Sequence, residues 1–492
     1  MLVRFIKHSS HYALGSLLVT LASLISFPIF TRTFSVAEYG ALNLISSVLL
    51  LGTGIGKLGI QHSIVRFHAE VSAGSRGISE SQYVSTVLIG MACTGIFASI
   101  GLAIAAYFIP AKWWHDDSVA RLIFPLSALI VLRVLDSGIS NILRAQQRSV
   151  AYNIYSVLRK YFILFTILAV MFYAISGLNG FYLGTVLAET LIIIFMMGYL
   201  LKKHHASTGK FSPDTFRAML TFGIPMIAYE ISGIILNLGD RYVIQARMGT
   251  EALGHYSAAY NLCEYLQTVV MASLAQAVTP IYLRMWEQSG EIITRRFVER
   301  ALHFYIIIGA AMLAGVTAVG QDVLVLFASE KYLAGASIIP YVVAGMLVSG
   351  AIPIFGAGIF IHKQNHLMIP CIAFAAVLNI ILNILMIPYL GLVAAGLATL
   401  ICFIVVAGFA WNIGGKHFKF RFPIWDLCKF FLLASIMYFS VMQISISSSL
   451  MRLTLKIFAG VIIYGALVIL FDSEIRAQSG LVVKRFLKRS VK

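Results

Sequence analysis

The chain has 492 residues, of which 59% are hydrophobic and only 12% charged, and it carries a formal net charge of +17. No soluble domain of that length covers so much apolar surface with so few charges, and the mean hydropathy is +0.88. The composition excludes a soluble enzyme or binding module and specifies an all-α integral membrane protein with many spans.

The N-terminus, Met-Leu-Val-Arg-Phe-Ile-Lys-His, leads into an apolar helix without an Ala-x-Ala cleavage site, so it reads as an uncleaved first span. Apolar runs of about 20 residues then recur at 10–33, 40–63, 82–109, 118–142, 151–175, 178–201, 217–246, 252–280, 300–328, 335–360, 367–388, 391–414, 424–446 and 453–471. About 14 spans place both termini on one side. The longest connectors, 63–81, 202–216 and 281–299, are too short for a separate domain. With cytoplasmic termini, 27 Lys and Arg residues fall inside, seven outside and three (Lys57, Arg133 and Arg241) within spans. That bias fixes the orientation. It also accounts for the pI of 9.7 as a topology signal plus attraction to anionic lipids, and no nucleic acid is expected as a partner. The tail 473–492 reads as a basic amphipathic helix, with Ile475, Val482, Val483, Phe486 and Leu487 on the membrane and Lys484, Arg485, Lys488, Arg489 and Lys492 toward phosphates. Cys93, Cys263, Cys371, Cys402 and Cys428 lie singly in or beside apolar runs and read as small hydrophobes.

The stretch from Phe222 to Gln276 is the most informative. Two apolar segments meet there at the turn Arg247-Met-Gly-Thr-Glu-Ala-Leu-Gly254, yet they carry Glu230, Asp240, Arg241 and Glu264, with Tyr256, Tyr260, Asn261 and Gln267 beside them. Charges in hydrocarbon cost several kcal/mol unless they face a partner or a wet cavity. A similar turn, Phe34-Ser-Val-Ala-Glu-Tyr-Gly40, lies near the N-terminus. Aligning Gly40 with Gly254 gives an offset of 214 that sets Asn43 on Ser257 and Ser47 on Asn261. A duplicated half with its site near the midplane is a common transporter plan.

Arg133, Glu189, Glu230 and Glu264 fall near mid-depth of their runs, counted at about 1.5 Å per residue. Lys57 falls in the cytoplasmic half of the second span, and Asp240 and Arg241 toward the outer half of the seventh. Arg133 and Asp136, three residues apart, share a helix face and can pair. Asn43, Ser47, Gly54, Lys57 and Gln61 make one polar stripe, and Ser257, Asn261, Glu264 and Thr268 make a matching one. Buried ion pairs that only fix packing are the competing reading of each charge. Pro28, Pro225, Pro340, Pro353 and Pro370 are candidate kinks. Gly54-Ile-Gly-Lys-Leu-Gly59 matches G-x-G-x-x-G, but no strand precedes it, so it marks close helix approach and not a dinucleotide site. His204 and His205 have no acidic or cysteine companions in sequence, so no metal is expected. No nucleophile–base spacing or large loop argues for an enzyme.

Phe-Pro-Ile-Phe-Thr-Arg-Thr-Phe-Ser-Val-Ala-Glu-Tyr-Gly (27–40) resembles the opening of the bacterial oligosaccharide flippases, the polysaccharide-transporter branch of the MATE-like (MOP) exporter superfamily. Leu238-Gly-Asp-Arg-Tyr-Val-Ile244, with Gly254-His-Tyr-Ser-Ala-Ala-Tyr260, resembles the start of that family's second half. The resemblance implies two pseudo-symmetric six-helix lobes, 1–202 and 203–414, around a central cavity, two further helices in 415–472, and the cytoplasmic tail. It implies a substrate of undecaprenyl-diphosphate-linked oligosaccharide, an O-antigen repeat unit or relative, moved from the cytoplasmic to the periplasmic leaflet of the inner membrane. A polysaccharide polymerase and a chain-length regulator would be its partners. On that reading Lys57, Arg66, Arg133 and Arg241 hold the diphosphate. Tyr256, Tyr260, Tyr229 and Tyr265 meet sugar rings, with Asn261 beside them. The acids Asp136, Glu189, Glu230, Asp240 and Glu264 are candidates to relay a coupling H+ or Na+. No cofactor is implied. A MATE-like drug exporter would favour an acidic cavity, and an O-antigen polymerase or ligase would present a large periplasmic loop; both stand as alternatives.

Overall fold

The computed structural model describes residues 2–108, 117–205, 207–268 and 273–477. Lys484 through Lys492, and with them most of the expected basic tail, lie outside the described residues. The described chain is helical, as hydrocarbon requires of a backbone that must satisfy its own hydrogen bonds, and no strand occurs among the described residues. Among them, twelve helices are long and apolar enough to cross a membrane, or thirteen with one bent pair. The protein is a multi-pass membrane protein. Its apolar exterior fits that setting: Phe97 is 80% exposed and Val461 69%.

The count differs from fourteen because spans run together or break. Helix α1 covers Leu2–Thr33, α2 Val36–Gly56, α3 Ile60–Ser72 and α4 Glu80–Phe108. A reciprocal cap starts α2: Glu38 N–H donates to Ser35 Oγ at 3.1 Å and Ser35 N–H to Glu38 Oε2 at 2.8 Å. The second span expected over 40–63 ends at Lys57. Gly59, at φ +70°, turns the chain where a Cβ would stand 1.9 Å from the carbonyl oxygen of Gly223. The G-x-G-x-x-G stretch thus serves a helix break and close packing. The fourth span is a pair, α5 (Asp117–Leu126) and α6 (Leu129–Ala145), bent by 48°. Helices α7 (Ser149–Tyr173) and α8 (Gly177–His204) pack along each other.

Helix α9 (Pro213–Gln267) and helix α10 (Ser273–Phe327) each run 55 residues, with non-helical backbone at Gly249 (φ 84°) and Gly290 (φ 75°). Tyr256 Oη donates to Asp240, sixteen residues away. A straight helix would separate them by about 24 Å, so α9 folds back at Gly249. The reversal sits on one residue of the expected Arg247–Gly254 turn. Helices α11 (Ile339–Phe355), α12 (Ala357–Ile361), α13 (Met368–Leu390), α14 (Leu392–Gly415), α15 (Ile424–Met442) and α16 (Ser449–Phe471) complete the chain.

Two compact units emerge: Met1–Asn261 with Met368–Cys402, and Leu262–Leu367 with Phe403–Lys492. Within the second, α16 is bound to α10 by polar groups. Arg452 Nη2 stands 2.7 Å and Lys456 Nζ 2.9 Å from the Asp322 carboxylate, and Tyr464 Oη donates to the Ile307 carbonyl at 2.8 Å. At the other end of α16, Asp472 accepts from Lys429 Nζ at 3.0 Å and from Ile475 N–H at 3.0 Å. Burial pushes the Asp472 carboxyl up, but the Ile475 N–H and the Lys429 ammonium outweigh it and hold the carboxyl below its usual range. A depressed folded-state value stabilises the fold above the unfolded value and loses that contribution as pH falls through the folded one. Acidifying the purified protein below about pH 4 should therefore lower its melting temperature. Asp472→Asn should flatten that dependence, as read by thermal unfolding across pH.

Candidate functional site

Three polar groups sit on the first unit, each positioned by the breaks just described. The first joins the α2–α3 break to α9. Lys57 Nζ is 2.8 Å from Glu230 Oε1, and Gln61 donates to the other oxygen of the same carboxylate. Ending α2 at Lys57 frees its side chain to reach α9, 173 residues along the chain. Gln61, on α3 beyond the break, still joins the same site.

The second group gathers α6, α7 and α8. Arg133 does not pair with Asp136, as the spacing on one face predicts. Its Nε is 3.3 Å from Glu189 on α8, while Asp136 is taken by Arg159 of α7 at 3.1 Å and by the Tyr155 hydroxyl. Arg159 also stands 3.8 Å from Glu189, which is 5% exposed. Arg133 and Asp136 share α6, and they part because α8 offers Arg133 a carboxylate while α7 offers Asp136 an arginine and a tyrosine hydroxyl. Arg159 belongs to the 27 charges assigned above to the cytoplasmic side, yet it falls inside the apolar run 151–175, and that position is the signal in the sequence for its place in this network. Because Arg159 alone touches both carboxylates, Arg159→Ala should lower the melting temperature more than Arg133→Ala. Leaving a buried carboxylate unpaired costs about 3–5 kcal/mol, reduced here because the arginines are a quarter exposed.

The third group is built by the folded-back α9. Asn261 Nδ2 donates to Tyr39 Oη at 3.0 Å and to Asn43 Oδ1 at 3.1 Å, and Arg241 Nη2 donates to Asn261 Oδ1 at 3.4 Å. The Arg241 guanidinium lies 5.5 Å over the Tyr260 ring. Its neighbour Asp240 accepts from the Tyr256 hydroxyl and the Arg241 N–H. Arg241 is 6% exposed, its Nε has no hydrogen-bond acceptor, and among the described residues no carboxylate lies within 4.0 Å of it. Lys57 and Arg133 are in direct contact with carboxylates; Arg241 has dipoles, a ring face and, beyond contact distance, the charge of the buried Asp240 carboxylate.

The two related turns meet in this third group. A Cβ on Gly40 would stand 2.0 Å from the Thr250 carbonyl oxygen, and one on Gly254 2.0 Å from the Val36 carbonyl oxygen. The offset of 214 that relates Gly40 to Gly254 also relates Val36 to Thr250, so the paired contacts are those of a pseudo-two-fold axis.

The remaining candidates lie elsewhere. Arg66 is on α3, 3.3 Å from Glu70 and 4.7 Å over the Phe222 ring, in a shallow pocket with Arg76, Asp214 and Arg217. The Arg76 hydrogen bond to Glu70 holds that carboxyl below its usual range. Glu264 is exposed. Tyr256 is fully buried and spends its hydroxyl on Asp240, so its ring presents no open face here. His204 Nδ1 stands 3.5 Å from Glu80. No three His, Cys, Asp or Glu side chains gather to hold a metal among the described residues.

Residues 5–286, more than half of the chain, match the family described as polysaccharide biosynthesis protein. The chain belongs to that family. Among solved structures, the polysaccharide biosynthesis chain is similar to the lipid II flippase MurJ in an inward closed conformation, with a TM-score of 0.75, 16% identity, and 96% of this chain and 99% of that one covered. It is also similar to an inward-facing multidrug resistance MATE family transporter of the MOP superfamily, with a TM-score of 0.61, 17% identity, and 81% and 94% covered. A Vibrio cholerae MATE transporter gives 0.58, 14% identity, and 83% and 96% covered. At these low identities the structural likeness establishes the fold alone, as MurJ- and MATE-like. No curated protein sequence matches the chain.

Proposed function

We propose that this family member is a flippase. It carries undecaprenyl-diphosphate-linked oligosaccharide repeat units, of O-antigen or a related surface polysaccharide, from the cytoplasmic to the periplasmic leaflet of a bacterial inner membrane. The observation that carries the reading is Arg241, a buried guanidinium with no carboxylate within 4.0 Å among the described residues and only the neighbouring Asp240 as a more distant counter-charge. A fold has little reason to desolvate such a charge unless an anion meets it, and a diphosphate suits a guanidinium by bidentate, charge-assisted bonds. Asn261, Asn43 and Tyr39 around it offer the amide and hydroxyl groups that sugars require. The family supports a polysaccharide intermediate as cargo, and the likeness to a lipid II flippase supports a lipid-linked one. Alternating access would rock the two lobes, 1–202 and 203–414, about the Gly40–Gly254 crossing, with both termini cytoplasmic. Lys57–Glu230 and Asp240–Tyr256 are the pairs we assign to coupling by H+ or Na+, because each sets a carboxylate within reach of a group that can release it. The protein acts as a transporter rather than an enzyme, supplying a polymerase and its chain-length regulator.

The test is a strain deleted for the gene with its glycan pathway intact, from which lipid-linked oligosaccharides are extracted and their leaflet assigned. Single repeat units confined to the cytoplasmic leaflet support flipping. Single units stranded on the periplasmic face would indicate polymerisation instead. No accumulation, with altered resistance to cationic drugs, would indicate a MATE-like exporter.

A further inference from the structure

A groove on the flank of α7 and α8 takes no part in the cycle above. Ile154, Leu158 and Phe162 of α7 and Leu191, Phe195 and Tyr199 of α8 wall it, and it encloses about 750 Å³. Its walls open outward from the protein: Phe195 is 74% exposed and Leu158 64%. From Ala151 to Phe162 the helix rises about 16 Å, half of a hydrocarbon core about 30 Å thick. The groove is therefore one leaflet long. With the termini in the cytoplasm, its Ala151 and Tyr199 end opens at the cytoplasmic headgroups.

The two ends differ in charge. At the floor Arg159 is held by Asp136 and Glu189. The helix ends at the Ala151 and Tyr199 end carry Arg144 at the end of α6, Arg148 just before α7, and Lys202 and Lys203 in the last turn of α8, while the nearby Glu80 is already engaged by His204 and Gln146. Arg144 stacks on Tyr152 at 4.4 Å. Lys203 Nζ is 5.2 Å over the ring of the groove-lining Tyr199 and has no hydrogen-bond acceptor, although the atom is enclosed. An enclosed ammonium without an acceptor is uncompensated, and its flexible stem can carry it to the mouth.

We propose that this groove binds one anionic glycerophospholipid of the cytoplasmic leaflet. Its phosphate meets Lys203 and Arg148, and one acyl chain lies between Leu158 and Phe195. The one-leaflet length favours an acyl chain over a polyprenyl carrier, whose chain is several times longer than the groove. The inference shares the orientation used above but not the choice of transported substrate.

The experiment uses the full-length protein, purified in detergent, incubated with equimolar phosphatidylglycerol and phosphatidylcholine, repurified, and analysed for bound lipid by mass spectrometry. Each basic residue near a lipid phosphate contributes about fivefold. The wild-type protein is expected to retain one phosphatidylglycerol in preference to phosphatidylcholine by roughly that factor or more. Lys203→Gln with Arg148→Gln should remove the preference, and Leu158→Trp should displace the lipid. Should Leu158→Trp fail to accumulate, Ala151→Phe at the exposed lip makes the same test. Equal retention of the two lipids by the wild type, or unchanged retention in the Lys203 and Arg148 variant, would overturn the proposal. Displacement of phosphatidylglycerol by equimolar undecaprenyl phosphate would overturn it in favour of the carrier lipid. Leaflet assignment in the deletion strain is independent of all these outcomes, so the two readings fail separately.

Discussion

Arg241→Ala is expected to stop surface polysaccharide assembly and leave lipid-linked repeat units in the cytoplasmic leaflet. A hydrogen bond to a charged group contributes about 1.5–3 kcal/mol, so loss of the guanidinium should weaken substrate binding roughly ten- to hundredfold. Arg241→Lys keeps the charge but loses the planar fork, and should restore part of the flux. The measurement is export of labelled repeat units, normalised to protein in the membrane. Asp240 is buried beside Arg241, so loss of the cation also strips that carboxylate of nearby positive charge. A structural role alone would lower protein level and melting temperature in step with export, and would be relieved by Asp240→Asn in the same chain. Normal accumulation with lost export, unrelieved by Asp240→Asn, identifies a substrate contact. Unchanged export in Arg241→Ala would remove the residue from the site.

The second large effect concerns folding. Gly40→Leu or Gly254→Leu should abolish accumulation of folded protein, because even a Cβ at either position would stand 2.0 Å from a backbone carbonyl oxygen. Overpacking typically costs about 1–3 kcal/mol, and here rigid backbone rather than a flexible side chain must yield. The alanine variants should fold with melting temperatures lowered by a few degrees, roughly 1 °C per kcal/mol for a chain of this size. Gly465→Leu on α16, where a Cβ meets nothing within 4 Å, is the matched control and should melt as wild type does. The readout is size-exclusion profile and thermal unfolding in detergent. Full stability of both glycine variants would show that the crossing of α2 and α9 tolerates separation.

Much of the fold was legible in particular residues. Each apolar run must close its own backbone hydrogen bonds in lipid, a local demand met by about 20 residues, so the membrane class and nearly all span positions follow without knowledge of the neighbours. Gly249, within the expected turn, is where α9 reverses, whereas the cap of Ser35 and Glu38 starts α2 four residues before the run read from 40. The relation of Gly40 to Gly254 was legible as a repeat, though not as a contact. Arg241 and Asn261 stood out because ionisable and amide groups are costly in an apolar run.

What the tertiary structure decided was who meets whom. Arg133 turned from Asp136, three residues away, to Glu189, 56 residues away, and Arg159 entered the same network from α7. Lys57 found Glu230 because α2 stops one residue before it. The choice of partner depends on the rotation and depth of each helix, and the breaks at Lys57–Gly59, between α5 and α6, and at Gly249 reset both. Those breaks are stabilised by close packing with distant segments, as Gly59 is by Gly223. Composition and periodicity determine that a side chain lies in the membrane; only the packed helices determine whether a carboxylate touches its charge there, as at Lys57, or none comes within 4.0 Å, as at Arg241.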